Sequence, residues 1–120
     1  MTDDDLANLS LLTNLSKLEL DGTKVTDAGL THLKGLTKLS HISFRATGIT
    51  DAGLTQLNCL SNLSYLDLSE TAVTDDGLAH LQSHTDLSGL LLSGTRVTET
   101  GVEQLRRALK QTWPRPRIYR

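Results

Sequence analysis

Rows of 24 residues align this chain without a gap from its start to position 105. Thr26, Thr50, Thr74 and Thr98 fall in one column, and Gly29, Gly53, Gly77 and Gly101 in another; residues 2–6, "TDDDL", fit the same columns with Asp5 in the glycine place. A second block runs in phase: "LSKLELDGT" at 15–23, "LSHISFRAT" at 39–47, "LSYLDLSET" at 63–71 and "LSGLLLSGT" at 87–95. A period of this length demands stacked copies of one small unit, because each unit is too short to bury its own apolar face.

Each row divides into two local structures. In "KLEL", Leu18 and Leu20 point to one side while Lys17, Glu19 and Asp21 point to the other, the alternation of a strand. Downstream of Thr26, the leucines at 30, 33 and 36 recur at intervals of three, which suits a short helix or a 3₁₀ turn. One strand and one short helix per row, all of one hand, build a right-handed α/β solenoid with a parallel sheet on its concave side and helices on its convex side. The core is aliphatic of necessity, since Phe44, Tyr65, Trp113 and Tyr119 are the only aromatics.

The recurrent Thr-Asp-x-Gly-Leu stretch invites a chemical interpretation. As a folding signal, Thr26 is expected to cap the helix that follows it, with Asp27 at the positive end of the helix dipole and Val25 stapled to Leu30. Gly29 and its equivalents are expected to let one helix start approach the next row. The rival is a cation ladder of Asp27, Asp51 and Asp75, but a row of acids one repeat apart cannot wrap six or more oxygens around one ion. No metal or cofactor is expected. Thr23, Thr47, Thr71 and Thr95 are expected to turn inward and bond backbone groups of the next loop.

The pattern Leu-x-x-Leu-x-Leu-x-x-Thr-x-Val, carried by "LSKLELDGTKV" and its copies, resembles the leucine-rich repeat family, with Thr where that family has Asn or Cys. The "VTDAGL" extension and the 24-residue period look most like its ribonuclease-inhibitor-like and cysteine-containing classes. That resemblance implies a horseshoe arc. Its expected divisions are an N-terminal half-repeat at 2–14, repeats at 15–38, 39–62, 63–86 and 87–110, and a C-terminal cap at 111–120. It also implies a protein-interaction scaffold that binds a partner through its concave strands. The alternative is an adaptor fragment of a larger protein, such as an F-box-like substrate receptor or a bacterial surface or effector protein.

The outward strand positions are where the rows differ: Lys17, Glu19 and Asp21; His41, Ser43 and Arg45; Tyr65, Asp67 and Ser69; Gly89, Leu91 and Ser93. These make the candidate partner-binding face. Four or five strands about 4.8 Å apart give a face about 20 Å wide, on the order of a few hundred Å², below the roughly 800 Å² per partner of a standard interface. His41, Tyr65, Asp67 and Ser43 are residue types that hydrolases use, but an open sheet offers neither a pocket nor oxyanion donors, so no enzyme is expected.

Other polar residues suggest less. His32 and His80 lie two rows apart, too far for one zinc ion, and His84 replaces the leucine of Leu12, Leu36 and Leu60, which predicts a buried ring with one bonded nitrogen. Cys59, the single cysteine, shares a column with Gly35 and Ser83, which predicts a tight slot. The three "NLS" sequons at Asn8, Asn14 and Asn62 follow from repeat composition.

Net charge of −2 conceals an asymmetry: residues 106–120 hold six bases and no acid, leaving 6 bases against 14 acids elsewhere. An acidic leading end and a basic trailing end could associate head to tail. Nucleic acid is not an expected partner, because no aromatic stacking platform accompanies the bases. No membrane span is expected, and the acidic start "MTDDDLANLS" is unlike a signal peptide, so the expected location is cytoplasmic. After Leu105 the frame ends; a helix to about Lys110, a proline-bounded turn and a last strand at 117–119 paired with the strand around Leu90 are expected. Trp113 would cover the final leucine layer there, while Pro114 and Pro116 would blunt the edge.

Overall fold

The computed structural model describes residues 1–109 and 117–120. Five three-residue strands, β1 (Lys17–Glu19), β2 (His41–Ser43), β3 (Tyr65–Asp67), β4 (Gly89–Leu91) and β5 (Arg117–Tyr119), form one parallel sheet in chain order. The first four are paired with an offset of one repeat, so Leu18, Ile42, Leu66 and Leu90 stand side by side. Ile118 extends that row on β5.

The convex side is short-helical. Helix α1 spans Asp3–Leu9, a 3₁₀ helix spans Asp27–Leu33, and α2 (Asp51–Leu54) and α3 (Asp75–Leu78) each run on into a 3₁₀ segment. A 24-residue row leaves only about two turns for this side, so the backbone tightens at its end in place of a full α-helix. Helix α4 (Glu99–Ala108) is freed from the period and is the longest.

Stacking explains the leucines. Leu6, Leu30, Leu54 and Leu78 form one fully buried column, Leu33, Leu57 and Leu81 a second, and Leu39, Leu63 and Leu87 a third. Leu20, Phe44, Leu68 and Leu92 fill the inner side of the strand ends, with Val25, Ile49, Val73 and Val97 beneath the next turn. Every such column repeats one contact along a body 37 × 26 × 17 Å, so stability is a sum of neighbour terms.

The acidic block works between rows. The backbone N–H of Thr50 donates to Asp27 Oδ1 at 2.7 Å, and the Thr50 hydroxyl donates to Asp27 Oδ2. The same pair of bonds joins Asp3 to Thr26, Asp51 to Thr74 and Asp75 to Thr98. This corrects the expectation of a self-contained cap: Thr26 and Thr50 make no side-chain cap bond, and those of Thr74 and Thr98 are long at 3.3 and 3.4 Å. An extended backbone at each threonine turns its N–H and hydroxyl toward the preceding row, where the carboxylate already sits. The glycines complete the clamp. A Cβ on Gly53 or Gly77 would meet the preceding row's aspartate carboxylate and come within 3.0 Å of Leu30 or Leu54 Cδ1.

A second correction concerns the threonine at each strand end. Thr23, Thr47, Thr71 and Thr95 donate to the carbonyls of Leu20, Phe44, Leu68 and Leu92 in their own rows, at 2.6–2.7 Å, closing the turn instead of reaching the next loop. That turn is left-handed one residue earlier, at Gly22, Ala46, Glu70 and Gly94. The C-terminal strand lies where expected. The roles expected of Trp113, Pro114 and Pro116, and the cap boundary at 110–111, lie outside the described residues.

Candidate interaction face

Strand pairing sorts the outward residues into rows across the sheet. Lys17, His41, Tyr65, Gly89 and Arg117 form the first, and Glu19, Ser43, Asp67, Leu91 and Tyr119 the second. Asp21, Arg45, Ser69 and Ser93 follow just past the strand ends. Not all are open to a partner. Lys17, Glu19, Asp21, His41, Arg45 and Ser93 are exposed and Tyr65, Gly89 and Leu91 half-buried, whereas Ser43, Asp67 and Ser69 are buried at 8, 7 and 2% exposure.

Hydrogen bonds compensate polar groups at this depth. Ser43 Oγ donates to Asp21 Oδ1, and the Ser69 backbone N–H donates to Asp67 Oδ1 at 2.9 Å. They shape the floor and leave the longer side chains as the rim. The His41 and Tyr65 rings stack with centroids 5.1 Å apart and planes 16° from parallel. Gly89 makes room on the other side of Tyr65, since a Cβ there would lie 3.1 Å from Tyr65 Cδ2. Lys17 and Glu19 form an exposed ion pair at 3.1 Å, which contributes little to stability.

Between these groups lies a hollow of about 190 Å³ lined by Lys17, Leu18, Glu19, His41, Ile42, Ser43 and Tyr65. Its field is electronegative at the aromatic wall: burial pushes the Tyr65 phenol up from its ordinary value, and Asp67, Asp21 and Glu19 push it further, against Lys17 alone. Asp67 and Ser43 come together with His41 and Tyr65 as strand pairing requires, but Asp67 is engaged by its own turn and Ser43 donates to Asp21, so neither is set up as a base or nucleophile for the other.

The remaining candidates lie elsewhere. His84 is 1% exposed with Nε2 unpartnered, and burial, partly opposed by a hydrogen bond to the Leu60 backbone, lowers its pKa. Cys59 is exposed, not slotted, and a Cβ on the equivalent Gly35 would meet nothing within 4 Å. Small residues recur there because the chain turns at the surface. Among the described residues, no His, Cys, Asp and Glu side chains gather in a group able to hold a metal ion, and no helix is long and apolar enough to cross a membrane.

Residues 59–81 match the family model described as Leucine Rich repeat. The fold is a leucine-rich repeat solenoid. Solved structures of two internalins from Listeria monocytogenes share it. Internalin C2 superposes with a TM-score of 0.66 at 28% identity over 82% of this chain, and the internalin designated inlF with 0.59 at 20% identity over 94%. The chain spans 42% and 36% of the lengths of those two chains. No curated protein matches it. Leucine-rich repeat solenoids are protein-interaction scaffolds as a class.

Proposed function

We propose that this solenoid binds a protein partner through its concave strand face, centred on Lys17, Glu19, His41, Arg45 and Tyr65, without catalysing a reaction. The observation that carries this is a contrast within each strand. Inward positions repeat as Leu18, Ile42, Leu66 and Leu90, while the outward positions beside them run Lys17, His41, Tyr65 and Gly89. Packing dictates the first set and leaves the second free. Ser43, Asp67 and Ser69 support the face from below, and Asp21, Leu91, Ser93 and Tyr119 border it.

The 24-residue rows, with their threonine-closed turns and short helices, support assignment to the ribonuclease-inhibitor-like or cysteine-containing repeat classes. A second reading is favoured by the chain's spanning only two-fifths of internalin C2: the domain is the recognition portion of a longer adaptor or surface protein. A cytoplasmic location remains part of the first reading, tested by locating the tagged protein in cells of its source.

The experiment is a capture assay with the full chain and two variants. A concave variant combines His41→Ala, Tyr65→Ala and Arg45→Glu; a convex control combines Asn58→Ala and Gln82→Ala, both at exposed sites. Partner capture should survive the convex changes and fail with the concave ones. Equal retention by both variants would sink the concave reading.

A further inference from the structure

We infer that the hollow on β1–β3 takes one guanidinium side chain, an arginine projecting from an extended segment of a partner protein. The inference rests on the concave-face reading and specifies its chemistry. At about 190 Å³ the hollow holds roughly six waters at about 30 Å³ each, which is room for one long side chain and not for a folded element.

Its walls select the type. The His41–Tyr65 stack supplies a rigid aromatic surface on which a planar cation is favoured by stacking and by the ring quadrupole. Glu19 stands at the rim with more than half its side chain exposed, able to accept two parallel N–H bonds. Asp21, exposed just past the end of β1, and Asp67, buried beneath the face, are each tied by one internal hydrogen bond and contribute charge more than contact. The field at the Tyr65 phenol, set by these three carboxylates, has the sign a cation requires. An uncharged or acidic side chain would leave that field unanswered.

The resident Lys17 supports the assignment and competes with it. Its ammonium already sits 3.1 Å from Glu19, so this rim accommodates a cation. Both groups are exposed, the pair is weak, and a guanidinium can displace the ammonium while gaining the stacking that Lys17 lacks. Lys17 and Glu19 therefore act in opposite directions on the same ligand. Because both are surface residues, neither substitution threatens folding.

The test is an NMR titration of the labelled full chain with blocked pentapeptides Gly-Ser-X-Ser-Gly, where X is arginine, lysine, citrulline or glutamate. Arginine should give saturable shifts at the amides of Glu19, His41, Ser43 and Tyr65, with lysine weaker and citrulline weaker by about ten-fold or more, the loss of one charge-assisted contact. Glu19→Gln should weaken the arginine peptide about ten-fold, and Lys17→Ala should tighten it several-fold. Higher salt should reduce both the affinity and the arginine-over-citrulline margin. Equal binding of citrulline, arginine shifts that map away from β1–β3, the absence of saturation for arginine, or weakening by Lys17→Ala would each overturn the proposal. If it falls while the triple concave variant still loses its partner, the face stands and only its chemistry changes. If arginine binds here but the triple variant keeps its partner, the hollow stands and the partner reading falls.

Discussion

Removing one interrepeat clamp tests the structural logic most directly. Asp51→Ala deletes the acceptor for the Thr74 backbone N–H, bonded at 2.7 Å, and for the Thr74 hydroxyl. Hydrogen bonds to a charged group contribute about 1.5–3 kcal/mol each, but both share one half-exposed carboxylate, so about 2–4 kcal/mol for the pair is expected. Against a total stability of about 5–15 kcal/mol this is a large loss. Urea unfolding followed by circular dichroism reads it as a lower midpoint, with an unchanged slope if the exposed area is preserved.

Double-mutant cycles then separate the clamp from a helix cap. Asp51→Ala and Thr74→Ala should couple by about 1–2 kcal/mol, because they remove two ends of one bond. Thr50→Ala and Asp51→Ala, neighbours in sequence, should add, since Thr50 is held by Asp27 and Asp51 holds Thr74. Gly77→Ala gives an independent sign. Its new Cβ would press on the Asp51 carboxylate and on Leu54 Cδ1 at 3.0 Å, costing about 1–3 kcal/mol as overpacking, and the cost should shrink once Asp51 is alanine. Coupling between residues 50 and 51 with none between 51 and 74 would refute the clamp and restore the self-contained cap.

Other outcomes follow from single sites. His84 has a lowered folded-state pKa, so the unfolded chain binds its proton more readily; stability should fall as pH drops below about 6.5, by up to ~1.4 kcal/mol per pH unit, and His84→Leu should flatten that limb of a pH series of urea midpoints. The carboxylates of Asp3 and Asp75 shift the other way. For Asp3 burial pushes up but hydrogen bonds from Thr26 prevail, and for Asp75 those from Thr98 lead, so their contribution should be complete above the ordinary carboxylate value and lost as pH falls through the lower folded one. Ala46 holds φ +56°, and Ala46→Gly should raise the urea midpoint, by up to about 1 kcal/mol in stability, with a smaller gain at Glu70 because its carboxylate packs over Gly94. Native Cys59 should react fully with a maleimide, since the thiol is exposed; protection until unfolding would contradict its placement. Sedimentation at rising salt tests head-to-tail association of the acidic α1 end with the Arg106, Arg107, Arg117 and Arg120 end: an oligomer that dissociates with salt supports it, and a salt-independent monomer does not.

The sheet order, its register and the leucine columns were all legible in the sequence, because a fixed period places equivalent residues side by side whatever the details of each turn. The partner of Asp27 was not. Sequence spacing makes Thr26 and Asp27 look like one local device, and only the extended backbone at Thr50 shows that its N–H faces back across the row boundary. The depth of Ser43, Asp67 and Ser69 was hidden for a similar reason: alternation tells which side a residue faces and says nothing of whether longer neighbours such as Tyr65 rise beside it. Cys59 misled because a column of small residues has two causes, a tight slot or an exposed turn. The 190 Å³ hollow required the His41–Tyr65 stack, which needs rotamers as well as register.

The clamp also has a direction, and that ties the scaffold to its face. Each aspartate bonds the row after it, and the series Asp3, Asp27, Asp51 and Asp75 runs from α1 toward α4 and ends at Glu99, which pairs instead with Arg120 at 3.5 Å in an exposed contact. In a solenoid whose stability is a sum of neighbour terms, the position of a lost clamp decides what is lost with it. At Asp3 only the packing of α1 on the next row is weakened. At Asp27 the break falls between the rows of β1 and β2, separating Lys17 and Glu19 from the His41–Tyr65 pair; at Asp51 it falls between the rows of His41 and Tyr65 themselves. The two central clamps are therefore the ones that hold the hollow in register, and ligand recognition there should fail by loosened geometry in Asp27→Ala or Asp51→Ala although neither carboxylate lies on the concave side.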